Sequence, residues 1–275
     1  MDKQAVTYKD LGSIDYKTAW DYQERLLQKN VQVKSGAGKT EAVATGASLL
    51  DKCSPAAVAK NLIVRDATAL YNPATQLANP FTTTKNYLLV CEHKPVYTIG
   101  KSGRMENLLI GEEEMTNKGI EFYKTNRGGD ITFHGPGQLV GYPILDLEKF
   151  YTDIGRYLRE LEEVIIRTLA EYGIRGERSK GETGVWIDPH IPGRERKICA
   201  MGVRCSRWIT MHGFALNINT DLSYFSNIIP CGIENKQVTS MQTELQRTID
   251  MGEVKERFRR NFEAVFNVDL TNGST

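Results

Sequence analysis

The chain has 275 residues, 40% of them hydrophobic, and its 35 lysines and arginines nearly balance 34 aspartates and glutamates. A chain of this length buries one sizeable core, and the composition gives no sign of a second. Balanced charge excludes a global field drawing in nucleic acid or an anionic membrane, no run reaches the roughly 20 apolar residues of a membrane span, and MDKQAVTYKD lacks the apolar core of a secretion signal.

The expectation is therefore one domain over residues 1–275, cytoplasmic, with no nucleic-acid and no membrane partner. Five scattered cysteines, Cys53, Cys91, Cys199, Cys205 and Cys231, fit reduced thiols better than a disulfide framework. Cys199, Cys205, His212 and Cys231 show neither CxxC nor paired-histidine spacing, which argues against zinc.

Asp15 opens a first helix over Tyr16 to Gln28 with a broad apolar face. From about Val31 to Lys85 the composition shifts to Ala, Thr, Ser and Gly, with a short helix opening at Ser54-Pro55. Within this stretch GAGKT, from Gly36, imitates the end of a phosphate-binding loop, but the loop's first glycine falls on Val33 and no strand precedes it. NYLLVCEHKPVYTIG reads as two strands, Tyr87 to Cys91 and Val96 to Ile99, around a turn. Further strands are expected at Ile120 to Tyr123, Ile131 to Phe133 and Leu139 to Leu145. Ile154 to Tyr172 keeps a 3.6-residue apolar period between a cap at Asp153 or Thr152 and a stop at Gly173, so it is a helix lying on a sheet. GVWID, KICAMGVRC and FALNI then read as successive antiparallel strands, and Val254 to Phe266 as a last helix. Strands with helices laid to one side give an α+β fold with a mixed, largely antiparallel sheet and flanking helices.

The chain is organised around RGGDITFHGPGQLVGYPI, Arg127 to Ile144. Gly128-Gly129 and Gly135-Pro136-Gly137 bracket a short strand and let backbone approach a ligand closely. Arg127, Asp130, Thr132, His134 and Gln138 crowd the same turns, which favours a binding surface over a plain hairpin. Two candidates for covalent chemistry lie elsewhere. Cys231, between Pro230 and Gly232, sits in a loop where a thiol can face a ligand. Lys197 begins the strand KICAMGV. A free thiol is only a few per cent thiolate at neutral pH, and a nearby ammonium raises that fraction. At about 4 Å and an effective dielectric near 20 the pair attracts by roughly 4 kcal/mol before desolvation. Cys199 stays open as a competitor, because Lys197 and Cys199 alternate onto the same face of one strand.

With RGGDITFHGPGQLVGYP, KICAMGVR, MHGFALNIN and IIPCGI in this order, the sequence resembles the lipoyl(octanoyl) transferases of the biotin/lipoate protein ligase-like superfamily. The resemblance is weak from Tyr8 to Asn30 and clear from Asn86 to about Leu270. Residues 31–85 look like an insertion into the family's compact pattern. The resemblance implies a mixed sheet with flanking helices, Cys231 as the acyl-accepting nucleophile and Lys197 as its acid/base partner, with Cys199 reduced to packing. It also implies that Arg127, Gly128, Gly129, Asp130, His134, Gly135, Gly137 and Gln138 line an acyl pocket. Ala200, Met201 and Gly202 on one strand, and His212, Gly213, Phe214 and Ala215 on the next, complete that lining.

The activity so implied is transfer of octanoyl from octanoyl-acyl carrier protein to the target lysine of lipoyl domains, those of 2-oxoacid dehydrogenase complexes and the glycine cleavage H protein. The donor carries phosphopantetheine, no ATP or metal is expected, and the chain is expected to act as a monomer. Backbone N–H groups around Cys231-Gly232 and at Gly202 or Gly213 turns are candidate oxyanion donors. Sharp length selection needs a closed floor, expected from Leu139 to Leu145 and Phe214 to Leu216. Five basic residues between Arg194 and Arg207, against Glu195 alone, offer docking to an acidic carrier. The rivals are an ATP-dependent lipoate ligase, which would not need Cys231, and a non-catalytic acyl-binding protein.

Overall fold

The computed structural model describes residues 3–36, 83–229 and 237–273. Cys53, Ser54-Pro55, most of GAGKT and Cys231 lie outside the described residues. The chain opens with β1 (Gln4–Ser13) and α1 (Tyr16–Lys34), then β2 (Asn86–Glu92), β3 (Val96–Ile99), a short α2 (Glu112–Asn117), β4 (Glu121–Lys124), β5 (Ile131–His134) and β6 (Gln138–Ile144). The helix α3 (Ile154–Ala170) leads to β7 (Val185–Ile187), β8 (Arg196–Ser206) and β9 (Ile209–Asn217). After them come β10 (Gln237–Val238), α4 (Met241–Leu245), α5 (Met251–Phe266) and β11 (Val268–Asn272).

The main sheet runs β10-β8-β9-β6-β2-β1-β11, with β7 added to β8; a second sheet runs β4-β3-β5. β8, β9, β6 and β2 pair antiparallel. β1 is parallel to both β2 and β11. This is the expected mixed, largely antiparallel α+β fold, with two departures. The helices are not laid to one side, because α3 and α5 cover one face of the main sheet and α1 the other. β2 and β3 do not pair around the His93-Lys94-Pro95 turn: β2 enters the main sheet beside β6, and β3 enters the small sheet beside β5.

The apolar stripe of α3 explains why it lies on the sheet. Leu161, Val164, Ile165 and Leu169 are buried against sheet residues Leu139 and Leu216 and against Phe258 and Phe262 of α5. Four such side chains contribute on the order of 8 kcal/mol of burial. Asp153 caps the helix, accepting from the Arg156 N–H at 2.9 Å. The opposite sheet face carries α1, whose Ala19, Leu26 and Leu27 meet Leu89, Val140, Tyr142 and Met211. Asp15 stands at the start of α1 without a capping bond, its carboxylate instead 2.9 Å from Lys94.

α1 outruns its expected end by six residues, because Lys34 reaches the buried Asp146 at 2.5 Å. Asn30 forks onto both backbone groups of Lys85, its Nδ2 donating to the carbonyl at 2.8 Å and its Oδ1 accepting from the N–H at 2.9 Å. Asn30 and Lys85, at the two borders of the expected insertion, therefore meet. Among the described residues, no helix is long and apolar enough to cross a membrane.

Candidate active site

The small sheet folds over the α1 face of the main sheet and leaves a cleft lined by residues of both sheets. Its wall is the Arg127 turn. The Arg127 guanidinium, buried, donates to the Thr98 carbonyl at 2.8 Å, to Thr98 Oγ1 at 3.0 Å and to the Gly128 carbonyl at 3.0 Å. Asp130 accepts from Asn107 Nδ2 and from the Ile131 N–H, both at 2.6 Å. Gly129, at φ +85°, gives the backbone reversal that joins these two anchors.

A buried hydrogen-bond chain runs from this turn across the cleft. Thr98 Oγ1, which accepts from Arg127, stands 3.5 Å from His134 Nε2, and His134 Nδ1 donates to Gln138 Oε1 at 2.8 Å. Gln138 Nε2 donates to Asn217 Oδ1 at 2.9 Å, and Asn217 Nδ2 to the Thr239 carbonyl at 3.0 Å. Each partner fixes the next one's orientation, so His134 is a neutral structural imidazole. Burial, with help from the neighbouring His93, pulls its pKa down to about 3. Tyr16 of α1 stacks on its ring with centroids 5.9 Å apart. His212 is also buried, and desolvation lowers its pKa to about 3. It holds φ +59° inside β9, its N–H donating to Gln23 Oε1 at 3.1 Å and its Nε2 to Asn126 Oδ1 at 2.7 Å. His93 is buried as well, and burial lowers its pKa to about 4; its Nδ1 donates to the Ile14 carbonyl, so its Nε2 accepts from the Tyr142 hydroxyl at 2.7 Å.

Lys197 reaches the cleft through an irregularity that the sequence does not announce. β7 and β8 pair Val185 with Cys199 but Trp186 with Lys197, one residue more on β8 than on β7. That bulge breaks the two-residue alternation, so Lys197 and Cys199 do not share a face. Lys197 lines the cleft, while Cys199 is fully buried among residues packed on α3, where burial raises its thiol pKa far above the ordinary value. Packing, the role implied for Cys199, is what the structure gives it.

Described residues on both sides of the segment carrying Cys231 reach this cleft. Before it, the Ile229 N–H donates to the Asn107 carbonyl at 2.8 Å, and Phe225 lines the cleft. After it, Val238 pairs with Lys197 and also lines the cleft, and the Thr239 N–H donates to the Lys197 carbonyl at 3.0 Å.

Most of the expected pocket comes together. Arg127, Gly129, Asp130, His134 and Gln138 line the cleft from the motif, with Ala200, Met201 and Gly202 from β8 and His212, Gly213, Phe214 and Ala215 from β9. Gly128, Gly135 and Gly137 do not line it. Gly128 donates to the Val203 carbonyl at 3.0 Å, and a side chain on Gly135 would meet the Phe133 ring at 2.5 Å. Gly137, at φ +75°, packs against the Asn219 carbonyl. These three shape the turns behind the wall.

Gly202 and Gly213 are not turn residues: they face each other within the β8–β9 ladder. The floor expected from β6 and β9 is present as Val140, Tyr142 and Ala215; Phe214 touches the cleft, but its ring packs on Phe258 of α5 in the same core as Leu139 and Leu216. Sequence reasoning missed Tyr16, which starts a helix with no glycine signal and reaches the cleft only through tertiary packing, and Asn217, which closes the run from His212 but was passed over as an ordinary strand residue. The basic stretch is largely committed. Arg196 forks onto Glu244, with both bonds at 2.7 Å, and reaches Asp188 at 2.6 Å, while Arg204 pairs with Glu24 at 2.9 Å. Among the described residues, no cluster of His, Cys, Asp and Glu has the makings of a metal site.

The model of the lipoyl protein ligase A/B catalytic domain matches residues 74–263. The chain belongs to that family. Two similar curated relatives carry the name octanoyltransferase. That of Christiangramia forsetii is 50% identical over 98% of this chain and 99% of its own length, and that of Flavobacterium johnsoniae 49% identical over 96% and 98%. Among solved structures, the bi-partite lipoate protein ligase of Thermoplasma acidophilum aligns with a TM-score of 0.60 at 16% identity, covering 100% of this chain and 88% of that one. A lipoate-protein ligase A bound with ATP aligns with the same score at 14% identity, over 100% and 90%. At such identities the ligases share the family fold with this chain, the mixed sheet with helices on both faces.

Proposed function

We infer that this chain is an octanoyltransferase, moving an octanoyl group from octanoyl-acyl carrier protein to the target lysine of lipoyl domains, including those of 2-oxoacid dehydrogenase complexes and the glycine cleavage H protein. The observation that carries the reading is the convergence at the cleft. Lys197 is turned into it by the bulge, and Phe225 before the Cys231 segment and Val238 after it line it. Relatives about 50% identical over nearly the whole chain, each named octanoyltransferase, support the same activity.

In the first step the Cys231 thiolate attacks the donor carbonyl. A C–S bond to Cys231 forms, the C–S bond to phosphopantetheine breaks, and the departing thiolate takes a proton from the Lys197 ammonium. In the second step the neutral amine of the acceptor lysine attacks the octanoyl-Cys231 thioester. An amide forms, Cys231 leaves as thiolate, and the amine's proton passes to Lys197. Lys197 thus ends as it began, and no net proton is gained or lost on the enzyme. The first step exchanges one thioester for another and conserves the donor's energy, so the reaction requires no ATP.

The buried histidines stand outside proton transfer, because a group held at a pKa of about 3 or 4 is a poor base at neutral pH. Their work is to hold the wall. The apolar floor contributes about 0.8 kcal/mol for each methylene it covers. Incubating the protein with octanoyl-acyl carrier protein and a lipoyl domain, without ATP, should place one octanoyl group on one acceptor lysine. Modification that requires free octanoate and ATP would instead identify a ligase.

A further inference from the structure

Trp186 of β7 lies directly across from Lys197 of β8, so the two side chains share a face, and Lys197 Nζ stands 4.6 Å from the centre of the indole ring. Trp186 is only 2% exposed, so little water competes for the ammonium on that side. We propose that Trp186 is a positioning residue for Lys197, its indole face holding the ammonium at the cleft for proton transfer. The proposal rests on the reading of Lys197 as the acid/base group.

The surroundings of Trp186 are built to keep that face still. Its backbone pairs in both directions with Glu177, at 2.8 and 2.9 Å. Two residues earlier, the Gly184 N–H donates at 2.9 Å to Glu162 of α3, a fully buried carboxylate that also meets Arg159 at 2.7 Å and Arg178 at 3.1 Å. Gly184 adopts φ +112°, and a side chain there would stand 2.4 Å from the Cys199 carbonyl, so β7 presses on β8 at the bulge. A buried ion cluster on α3 thereby anchors the start of β7, and β7 presents the ring.

A lysine has a flexible four-carbon stem, and holding its head in one place costs rotamer entropy. An indole face opposes that cost, because its negative face attracts the ammonium and keeps it where the departing thiolate collects its proton. A tryptophan that served only as an apolar filler would be indifferent to the charge on Lys197.

That difference is the test. Tryptophan analogues bearing one to four fluorines, placed at position 186 alone, nearly keep the ring's volume while draining its negative face. Single-turnover transfer from octanoyl-acyl carrier protein should slow stepwise with fluorine number, reaching about tenfold, with KM for the donor changed less than about twofold. Trp186→Phe should fall between the native protein and Trp186→Leu, which should lose about tenfold or more in kcat. Melting temperatures across the fluorinated series should stay together and show the fold intact. A flat series with Trp186→Leu as active as Trp186→Phe overturns the proposal. Lys197→Ala, measured alongside, separates the two levels. If it is inactive while the series is flat, only the role of Trp186 falls; if it transfers at the native rate, the acid/base reading falls and this proposal with it.

Discussion

Replacing Ala215 by leucine should shorten the acyl chain that the cleft accepts. Ala215 sits mid-floor, with Ala200 across the ladder on β8 and Val140 across it on β6, and all three line the cleft. Adjacent strands lie about 4.8 Å apart, so this row of small side chains offers on the order of 10 Å of floor, suited to an extended eight-carbon tail. Leucine adds three carbons in its middle and displaces about two methylenes of the substrate. At about 0.8 kcal/mol each the loss is roughly 1.6 kcal/mol, or about 15-fold, borne by octanoyl and not by the shorter chains. The assay is the rate of transfer from butanoyl, hexanoyl and octanoyl carrier proteins under subsaturating donor. The octanoyl-to-butanoyl ratio should fall by about that factor. An unchanged ratio, whatever happened to the absolute rates, would refute the assignment of this row as the acyl floor.

Three further outcomes follow from buried groups and strained backbone. His93, His134 and His212 titrate near pH 6.5 in the unfolded chain but only at about 4, 3 and 3 in the fold, so the unfolded state binds more protons below pH 6.5. Stability should be intact above that pH and fall by roughly 1.4 kcal/mol per group per pH unit toward pH 4, as urea midpoints would report; a flat profile from pH 7 to 5 contradicts their burial as neutral imidazoles. Glu162→Ala leaves the Gly184 N–H without its acceptor and two arginines without their buried carboxylate, and should cost about 3–5 kcal/mol in urea unfolding. The β8–β9 hairpin turns through Arg207 at φ +49° and Trp208 at φ +64°, so Arg207→Gly should raise stability by about 1 kcal/mol and Tm by roughly 2–4 °C.

The elements with a strong local pattern were legible. α3 and α5 show one apolar stripe each and β6 an unbroken buried run, whereas FALNI marked only the second half of β9, which begins at Ile209. β1 and β11 escaped because only Val6 and Tyr8 of the first, and Val268 of the second, are buried. The rest of each strand is exposed or half-buried, and what holds it is pairing with a strand distant in sequence. The same cause explains β2 and β3: a turn joins them in the chain, but their partners β6 and β5 are set by the whole fold.

At the site, the glycine-rich turn could be found from residue types alone, and the resemblance to a family supplied Lys197 and its partner thiol. The bulge that decides which way Lys197 points could not be found. Strict alternation puts Lys197 beside Cys199, and only the extra residue opposite Trp186 and Val185 separates them. The commitment of Arg196 to Glu244 likewise joins residues 48 positions apart, so a stretch that reads as a basic docking surface is in large part a clamp on α4.

The central claim is that the acyl group passes through a thioester on one particular thiol. Mixing the protein with octanoyl-acyl carrier protein in the absence of ATP and acceptor, quenching in acid and mapping the peptides by mass spectrometry tests it directly. The account predicts one octanoyl group per chain, on Cys231, lost on adding a lipoyl domain and absent in Cys231→Ser. A stable label on Cys199, or no adduct unless ATP is supplied, would contradict it.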